Sequence, residues 1–301
     1  MDVFLQLVIT GFMVGGIYAL VALGWTLIYK SSGVLNLAMG ELTLVGAYVS
    51  YTFYQAHIPF LLSVVLTLII GAILGLLTER LFLRPLIGEP TLTVIMVTVG
   101  LSFFFRGLIF LLFNTDTLVF TPPVFPSEPI RLGNIVIGQV YIWSFAAAIL
   151  LLFVFVAFFQ YTRWGLAIQA TADDEMAALS LGISAKFVYA AAWAIAFMAS
   201  GVGGTLLGNI NGINISIGYL GLLVLPAVVI GGLNSVPGAI VGGIIIGLLQ
   251  NLAGGYLDPL TVAGIKLFPG GVKDIFPYVV MTIVLLVKPY GLWGWTRIER
   301  V

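Results

Sequence analysis

Residues 5–29 read LQLVITGFMVGGIYALVALGWTLIY, a long apolar run that contains no charged side chain. An α-helix crosses the hydrocarbon core of a bilayer with about 20 mostly apolar residues, so this run predicts a membrane-spanning helix. Working outward along the chain, the same criterion predicts further spans at 34–54, 60–77, 91–113, 141–159, 187–210 and 275–287. We therefore expect an all-α integral membrane protein, a polytopic bundle of about eight spans.

The composition agrees with a bilayer environment. Hydrophobic residues make up 61% of the chain and charged residues only 8%, whereas soluble domains carry about 25% charged residues. The formal net charge of zero leaves no basic surface for nucleic acid. Cysteine is absent and His57 is the only histidine, so we expect no disulfide and no metal centre.

The apolar stretch 219–252 is too long for a single span. It is interrupted at 231–238, a segment that includes Gly231, Gly232, Pro237 and Gly238. Proline and closely spaced glycines disfavour a continuous helix. We therefore predict a broken or re-entrant helix pair at 219–252, with two shortened helices that meet at the interruption.

Glycines spaced four residues apart recur in the predicted spans, and such pairs indicate close packing between helices in lipid. The pairs are Gly11 with Gly15, Gly71 with Gly75, Gly204 with Gly208, Gly238 with Gly242, and Gly243 with Gly247. Close packing serves any helical membrane protein, so this pattern does not separate a transporter from other classes.

The distribution of basic residues predicts the orientation of the chain, because cytoplasmic loops are enriched in Lys and Arg. With the N-terminus outside, the cytoplasmic side holds Lys30, Arg80, Arg84, Arg163, Lys186, Lys288, Arg297 and Arg300. The Pro-rich segment 114–138 is then an external loop, while 160–186 and the C-terminus are cytoplasmic. We treat 1–301 as a single transmembrane domain in which 219–252 enters and leaves on the outer side.

Two charged residues fall within predicted spans, where a charge is costly and needs a reason. Glu41 follows Gly40 in the second span, and either it lines a cavity or gate, or it pairs inside the bundle. Arg106 lies nearer the outer end of the fourth span, and we expect its side chain to snorkel towards the interface.

The segment 160–186 contains a capping pattern. Thr171 is followed three residues later by Asp174, which predicts a helix over 172–181 with Asp173, Asp174 and Glu175 in its first turn. Gly182 is placed to end that helix. An amphipathic helix here either lies on the membrane or binds a protein partner, and its acidic start favours a partner over an anionic leaflet.

The same segment resembles the coupling loop of permease subunits in ATP-driven (ABC) importers, and in particular of the branched-chain amino acid permeases. The matching residues in this segment are Gly165, Leu166, Ala167, Ala170, Asp174, Ala178, Leu181, Gly182 and Ile183. Further matches occur in order along the chain at 16–20, 22–24, 26–29, 40–41, 46–48, 231–232, 237–239, 242–243 and 288–289. The chain is most similar to the first of the two homologous permease subunits. It departs from the family pattern at Met39, where a histidine is usual, and at Gln169, where a basic residue is usual.

The resemblance implies roles for particular residues. It implies ATPase coupling for this segment, within which we assign the role to Gly165, Ala167, Thr171, Asp173, Asp174, Met176, Ala177, Ala178, Leu179 and Gly182. Ala177 and Ala178 are small enough to permit close approach by a partner, while Met176 and Leu179 offer apolar anchors. From the residues themselves we expect a translocation path near Asn36, Gly40, Glu41 and Asn234, because Asn36 and Glu41 are polar and flank Gly40 in a segment rich in small residues. The implied partners are a second homologous permease, two cytoplasmic ATPase subunits and a periplasmic binding protein that delivers an amino acid. We expect a bacterial inner-membrane subunit with no catalytic site and no cofactor of its own, because ATP is bound by the partners and the chain has no Gly-rich Lys-Ser/Thr loop.

Other functions remain open from the residues alone. Permeases for urea and short-chain amides share much of this pattern. An ion-coupled secondary carrier is disfavoured because the spans hold few embedded carboxylates and no histidine. A channel or a structural membrane subunit is a further alternative.

Overall fold

The computed structural model describes residues 2–113, 116–126, 128–262, 265–266, 268 and 271–294. The helices are α1 (Asp2–Ser32), α2 (Met39–Gln55), α3 (Phe60–Thr78), α4 (Thr91–Leu112), α5 (Gln139–Tyr161), α6 (Arg163–Asp173), α7 (Glu175–Ser180), α8 (Ala185–Asn211), α9 (Ser216–Leu223), α10 (Leu225–Gly231), α11 (Val236–Tyr256) and α12 (Phe276–Val287). Two short hairpins join β1 (Ile130–Leu132) to β2 (Ile135–Ile137) and β3 (Thr261–Val262) to β4 (Ile265–Lys266).

The predicted class, an all-α polytopic membrane protein, is confirmed. Within the described residues, 6 helices are long and apolar enough to cross a membrane by length and composition. Fewer helices reach that length than the predicted number of spans, because α2 has 17 residues, α12 has 12, and α9 and α10 are shorter still.

We describe the bundle along the axis of helix α1, and we call its two ends the Asp2 end and the Lys30 end after residues near the two ends of that helix. The hairpin β1–β2 lies at the Asp2 end, where Asn134 Nδ2 donates to Asp2 Oδ2 over 3.1 Å. Helix α11 runs antiparallel to α1, since Gly243 packs on Ala19 while Gly255 packs on Leu7. This pairing confirms that the glycines spaced four apart mark close helix contacts.

Helix α8 lies at the centre of the bundle and contacts α1, α2 and α3. A side chain at Gly46 would stand 2.1 Å from the Cα of Gly201, and one at Gly204 would stand 1.8 Å from the carbonyl oxygen of Thr43. Backbones this close leave no room for a methyl group. The crossing of α2 and α8 therefore depends on glycine at both positions.

The connection from α1 to α2 differs from the prediction. The second span was predicted from residue 34, but 33–38 are not helical and α2 begins only at Met39. The Asn36 side chain is buried, and its Oδ1 accepts from Ala38 N over 3.0 Å, while Leu37 N donates to Thr98 Oγ1 over 3.2 Å. Side chains thus satisfy a non-helical backbone inside the protein, as irregular backbone at membrane depth requires.

The predicted interruption of 219–252 is confirmed, but its form differs. Helix α10 ends at Gly231, Gly232 has a positive φ of 103°, and Ser235 caps α11 by accepting from Gly238 N over 3.1 Å. The first part divides again at Val224, just before Pro226, whereas α11 has 21 residues and is not shortened. The two sides of the break pack closely because Gly231 and Gly238 lack side chains that would collide.

The segment 114–138, predicted as a loop, contains the hairpin β1–β2 and no helix among its described residues. A backbone bridge joins Leu118 to Ile213, in the connection between α8 and α9. Residues 114, 115 and 127 lie outside the described part of the chain.

Candidate functional site

The first candidate site is the segment between α5 and α8, at the Lys30 end. A sharp turn begins it, where Thr162 Oγ1 accepts from Gly165 N over 3.1 Å and caps α6. A side chain at Gly165 would stand 2.4 Å from the Cα of Phe159. Gly165 is therefore required for this turn.

The helix predicted over 172–181 with Thr171 as its cap is wrong. Residues 163–173 form α6, and Thr171 lies inside that helix, where its hydroxyl donates to Ala167 O over 3.0 Å. Asp174 is extended, ends α6 and caps α7, because its Oδ1 accepts from Ala177 N over 2.9 Å. Of the three acidic residues placed in the first turn, only Glu175 is helical in α7. The predicted stop is confirmed at Gly182, which has a φ of 82°.

The exposure of the side chains divides the predicted coupling residues into two groups. Gly165, Thr171 and Ala178 are buried against the chain itself, and Ala167 is half-buried. Asp173, Asp174, Met176, Ala177, Leu179 and Gly182 are exposed. Since Ala178 is only 2% exposed, the expectation that it offers a surface for close approach by a partner is wrong.

Four exposed residues of this segment are apolar, and we call them the α7 patch: Met176, Ala177, Leu179 and Leu181. Met176 is 75% exposed and Leu181 is 80% exposed. Exposed apolar side chains on a loop beyond the spans mark a contact with a partner or with the membrane surface. Sequence reasoning missed Leu181 as a surface residue because it was assigned to the last turn of the predicted helix.

Two side-chain contacts join this segment to α8. The Tyr189 hydroxyl donates to Glu175 Oε1 over 2.9 Å. The rings of Trp164 and Phe187 lie with centroids 4.5 Å apart. The segment is thus attached to the central helix and not merely suspended between two spans.

A cavity of about 350 Å³ opens beside this junction. Its lining includes Ser32, Glu79, Arg84, Glu175, Tyr189 and Trp193. Glu79 is buried, and its Oε2 accepts from Arg84 Nη2 over 2.9 Å. The sequence showed both charges at the end of the third span, but their pairing depends on a π-helical turn over Glu79–Leu83 that no local pattern indicated.

The second candidate site is an ion pair at membrane depth. Arg106 Nη2 in α4 donates to Glu41 Oε1 in α2. The expectation that Arg106 snorkels is wrong, because its guanidinium points inward to a carboxylate. Of the two readings of Glu41, the structure shows the paired one.

Tyr219 of α9 completes this group and was not selected from the sequence. Arg106 Nη1 donates to the Tyr219 hydroxyl over 3.2 Å, and the guanidinium carbon lies 4.8 Å from the centre of the tyrosine ring. A cation over an aromatic face is stabilised by the ring quadrupole. No spacing in the sequence relates Tyr219 to Arg106, so only the packing of α9 on α2 reveals it.

Two glycines make room for the pair. A side chain at Gly40 would stand 2.2 Å from the carbonyl oxygen of Gly218, and one at Gly218 would stand 3.0 Å from Glu41 Oε2. Helices α2 and α9 therefore touch by backbone beside the carboxylate. Glu41 is only 1% exposed.

The predicted path residues are only partly brought together. Gly40 and Glu41 lie in the first turn of α2 and Asn36 lies in the non-helical connection just before it; Asn36 and Glu41 are both buried. Asn234 is exposed in the turn between α10 and α11. The end of α10, just before this turn, is hydrogen-bonded to the C-terminal segment, because Leu292 N donates to Ile230 O over 2.7 Å. The structure leaves Asn234 apart from the group around Glu41.

An apolar bundle with a capped segment at one end and an embedded ion pair has the features of a multi-pass membrane permease. The sequence model of the family described as "Branched-chain amino acid transport system / permease component" matches residues 7–285, and the chain belongs to this family. It is accordingly a permease subunit of an ABC importer.

Three relatives are similar over most of their length. The chain is 31% identical to the high-affinity branched-chain amino acid transport system permease protein LivH of Salmonella typhimurium, over 99% of this chain and 98% of that protein. It is 28% identical to the corresponding protein BraD of Pseudomonas aeruginosa, with the same coverage of 99% and 98%. A nucleoside ABC transporter permease protein, NupC of Lactococcus lactis, is 26% identical over 85% of this chain and 84% of its own length.

Proposed function

We propose that this subunit carries branched-chain or other hydrophobic amino acids across a bacterial inner membrane. A second homologous permease completes the path, two ATPase subunits bind at the Lys30 end, and a binding protein delivers the substrate at the Asp2 end. The subunit itself performs no catalysis, and ATP is bound by the ATPases. The names of LivH and BraD support the substrate class.

The single observation that carries this proposal is the α7 patch and its attachment to α8. The patch is apolar, exposed and at the end of the bundle that also holds Lys30. Its docking on an ATPase buries Met176 and Leu181, and the Tyr189–Glu175 hydrogen bond passes a displacement of α7 to α8. Because α8 crosses α2, the displacement reaches the helix that carries Glu41.

The charge bias, together with the position of the α7 patch, supports one orientation of the subunit. Lys30, Arg84 and Arg163 belong to the Lys30 end, which we place in the cytoplasm. The Asp2 end with the hairpin β1–β2 then faces the periplasm, where a binding protein docks. Nucleotide binding by the ATPases shifts the permease between its inward-facing and outward-facing states only if the nucleotide-bound ATPases bind one state more tightly than the other.

The test is uptake into proteoliposomes that contain the complete importer, with ATP inside and the loaded binding protein outside. We expect uptake of leucine, valine and isoleucine that requires ATP and the binding protein and that persists with an uncoupler. Uptake that the uncoupler abolishes and ATP does not support indicates an ion-coupled carrier. Uptake of urea, short amides or nucleosides in place of the amino acids overturns the substrate class but keeps the ABC mechanism.

A further inference from the structure

The ion pair between Glu41 and Arg106 lies well inside a membrane-spanning helix. Arg106 is separated from Leu112, the last residue of α4, by about 9 Å of helix at about 1.5 Å per residue. Its distance from the first residue, Thr91, is greater still. A charge at such a depth is costly and generally serves a path for polar solutes.

One side of the pair is open. The Arg106 side chain is 21% exposed, that of Glu41 is 1% exposed, and Tyr219 beside them is 55% exposed. A guanidinium that reaches the surface at this depth cannot face lipid tails without a large penalty. The open side therefore faces a polar environment, which in a permease is the substrate path.

The pair also holds unused hydrogen-bonding capacity. Glu41 Oε2 and Arg106 Nε are buried and have no hydrogen-bond partner among the described residues. A buried carboxylate oxygen that accepts no hydrogen bond has lost its hydration without a compensating interaction, which is unfavourable. An ion pair that served structure alone would be expected to satisfy both groups.

We propose that Glu41 and Arg106 recognise the head group of a zwitterionic α-amino acid, with Arg106 holding the carboxylate and Glu41 holding the ammonium group. The inference rests on the proposed function, since it names the chemistry of the same path. The zwitterion brings one charge of each sign. When Glu41 and Arg106 separate to admit it, each therefore exchanges its protein partner for a substrate group of opposite charge. A neutral amide or a simple carboxylate leaves at least one of them buried without a partner, which is strongly unfavourable. Tyr219 steadies the guanidinium through its ring and hydroxyl.

The test compares leucine moved per ATP hydrolysed in the complete importer for Glu41→Gln, Arg106→Gln, the double variant and Arg106→Lys. The double variant replaces the ion pair by two amides that can hydrogen-bond each other, so assembly is preserved. We expect copurification and ATP hydrolysis close to those of the unmodified importer, with a leucine-to-ATP ratio about tenfold lower, because the head group loses its charged partners. Arg106→Lys should recover part of the ratio. Arg131→Gln, at an exposed arginine in β1, is the matched control.

An unchanged leucine-to-ATP ratio in the double variant overturns the inference. Failure of both the single and the double variants to assemble also overturns it, because the pair is then structural. Either result leaves the proposed function intact. Absence of ATP-dependent leucine uptake by the unmodified importer is the different result that contradicts the proposed function itself.

Discussion

Tyr189 of α8 donates a hydrogen bond of 2.9 Å to Glu175, the first residue of α7. This bond joins α7, the short helix that carries most of the α7 patch, to α8 at the centre of the bundle. Since α8 also packs on α2, we expect a displacement of α7 to reach the helix that carries Glu41. The proposed function therefore predicts that this bond positions α7 during the transport cycle.

Replacing Tyr189 by Phe removes the hydroxyl and keeps the ring. We expect the subunit to retain the ATPases, but the leucine moved per ATP should fall about threefold, since a hydrogen bond to a partly exposed carboxylate is of modest strength. Transport stoichiometry in proteoliposomes measures this. Tyr161→Phe, at an 82% exposed tyrosine near the end of α5, should leave the ratio unchanged. Equal behaviour of the two variants contradicts a positioning role for Tyr189.

The α7 patch predicts where ATPase binding is most sensitive. Met176→Asp and Leu181→Asp place a charge on apolar surfaces that become buried on docking, so each should reduce the amount of ATPase that copurifies about tenfold or more. Val136→Asp, on the hairpin at the Asp2 end, is the control and should have no effect on copurification. Ala178→Arg is a poor probe, because Ala178 is buried within the chain and the variant disturbs its own packing. Normal retention by both Asp variants contradicts docking through this patch.

The crossing of α2 and α8 predicts a strong effect on stability. Gly46→Ala places a methyl group 2.1 Å from Gly201 Cα, so the helices must separate. We expect a loss of about 3 kcal/mol or more, at the upper end of overpacking effects. Gly100→Ala, on the exposed face of α4 where a side chain meets nothing within 4 Å, should cost nothing. Thermal unfolding in detergent compares the two, and equal midpoints would show that the helices do not approach this closely.

The orientation is tested with single cysteines, which this Cys-free chain allows. Asn134→Cys in the hairpin turn should react with a membrane-impermeant thiol reagent in spheroplasts. Ser180→Cys at the end of α7 should react only after the membrane is permeabilised. The parent chain, without cysteine, is the control. Labelling of both positions from the outside would falsify the proposed topology.

Much of the architecture could be predicted because lipid imposes a simple condition. A helix in the bilayer must be mostly apolar along its length, so runs such as 5–29 identify spans whatever they pack against. Local chemistry likewise indicated the interruption at 231–238 and the positive φ of Gly182. The start of α2 at Met39 was not predicted, because residues 33–38 are as apolar as a membrane-spanning helix. Their backbone is non-helical and is held by hydrogen bonds to the side chains of Asn36 and Thr98.

The sequence by itself determined the class of the protein, its helical spans, the location of the segment between α5 and α8, and the family to which it belongs. Only the tertiary structure decided that Ala178 faces inward and that Glu41, Arg106 and Tyr219 meet. The reason is physical. Hydropathy and turn chemistry act between neighbours in the chain, whereas the contacts of Arg106 with Glu41 of α2 and with Tyr219 of α9 depend on how three separate helices pack.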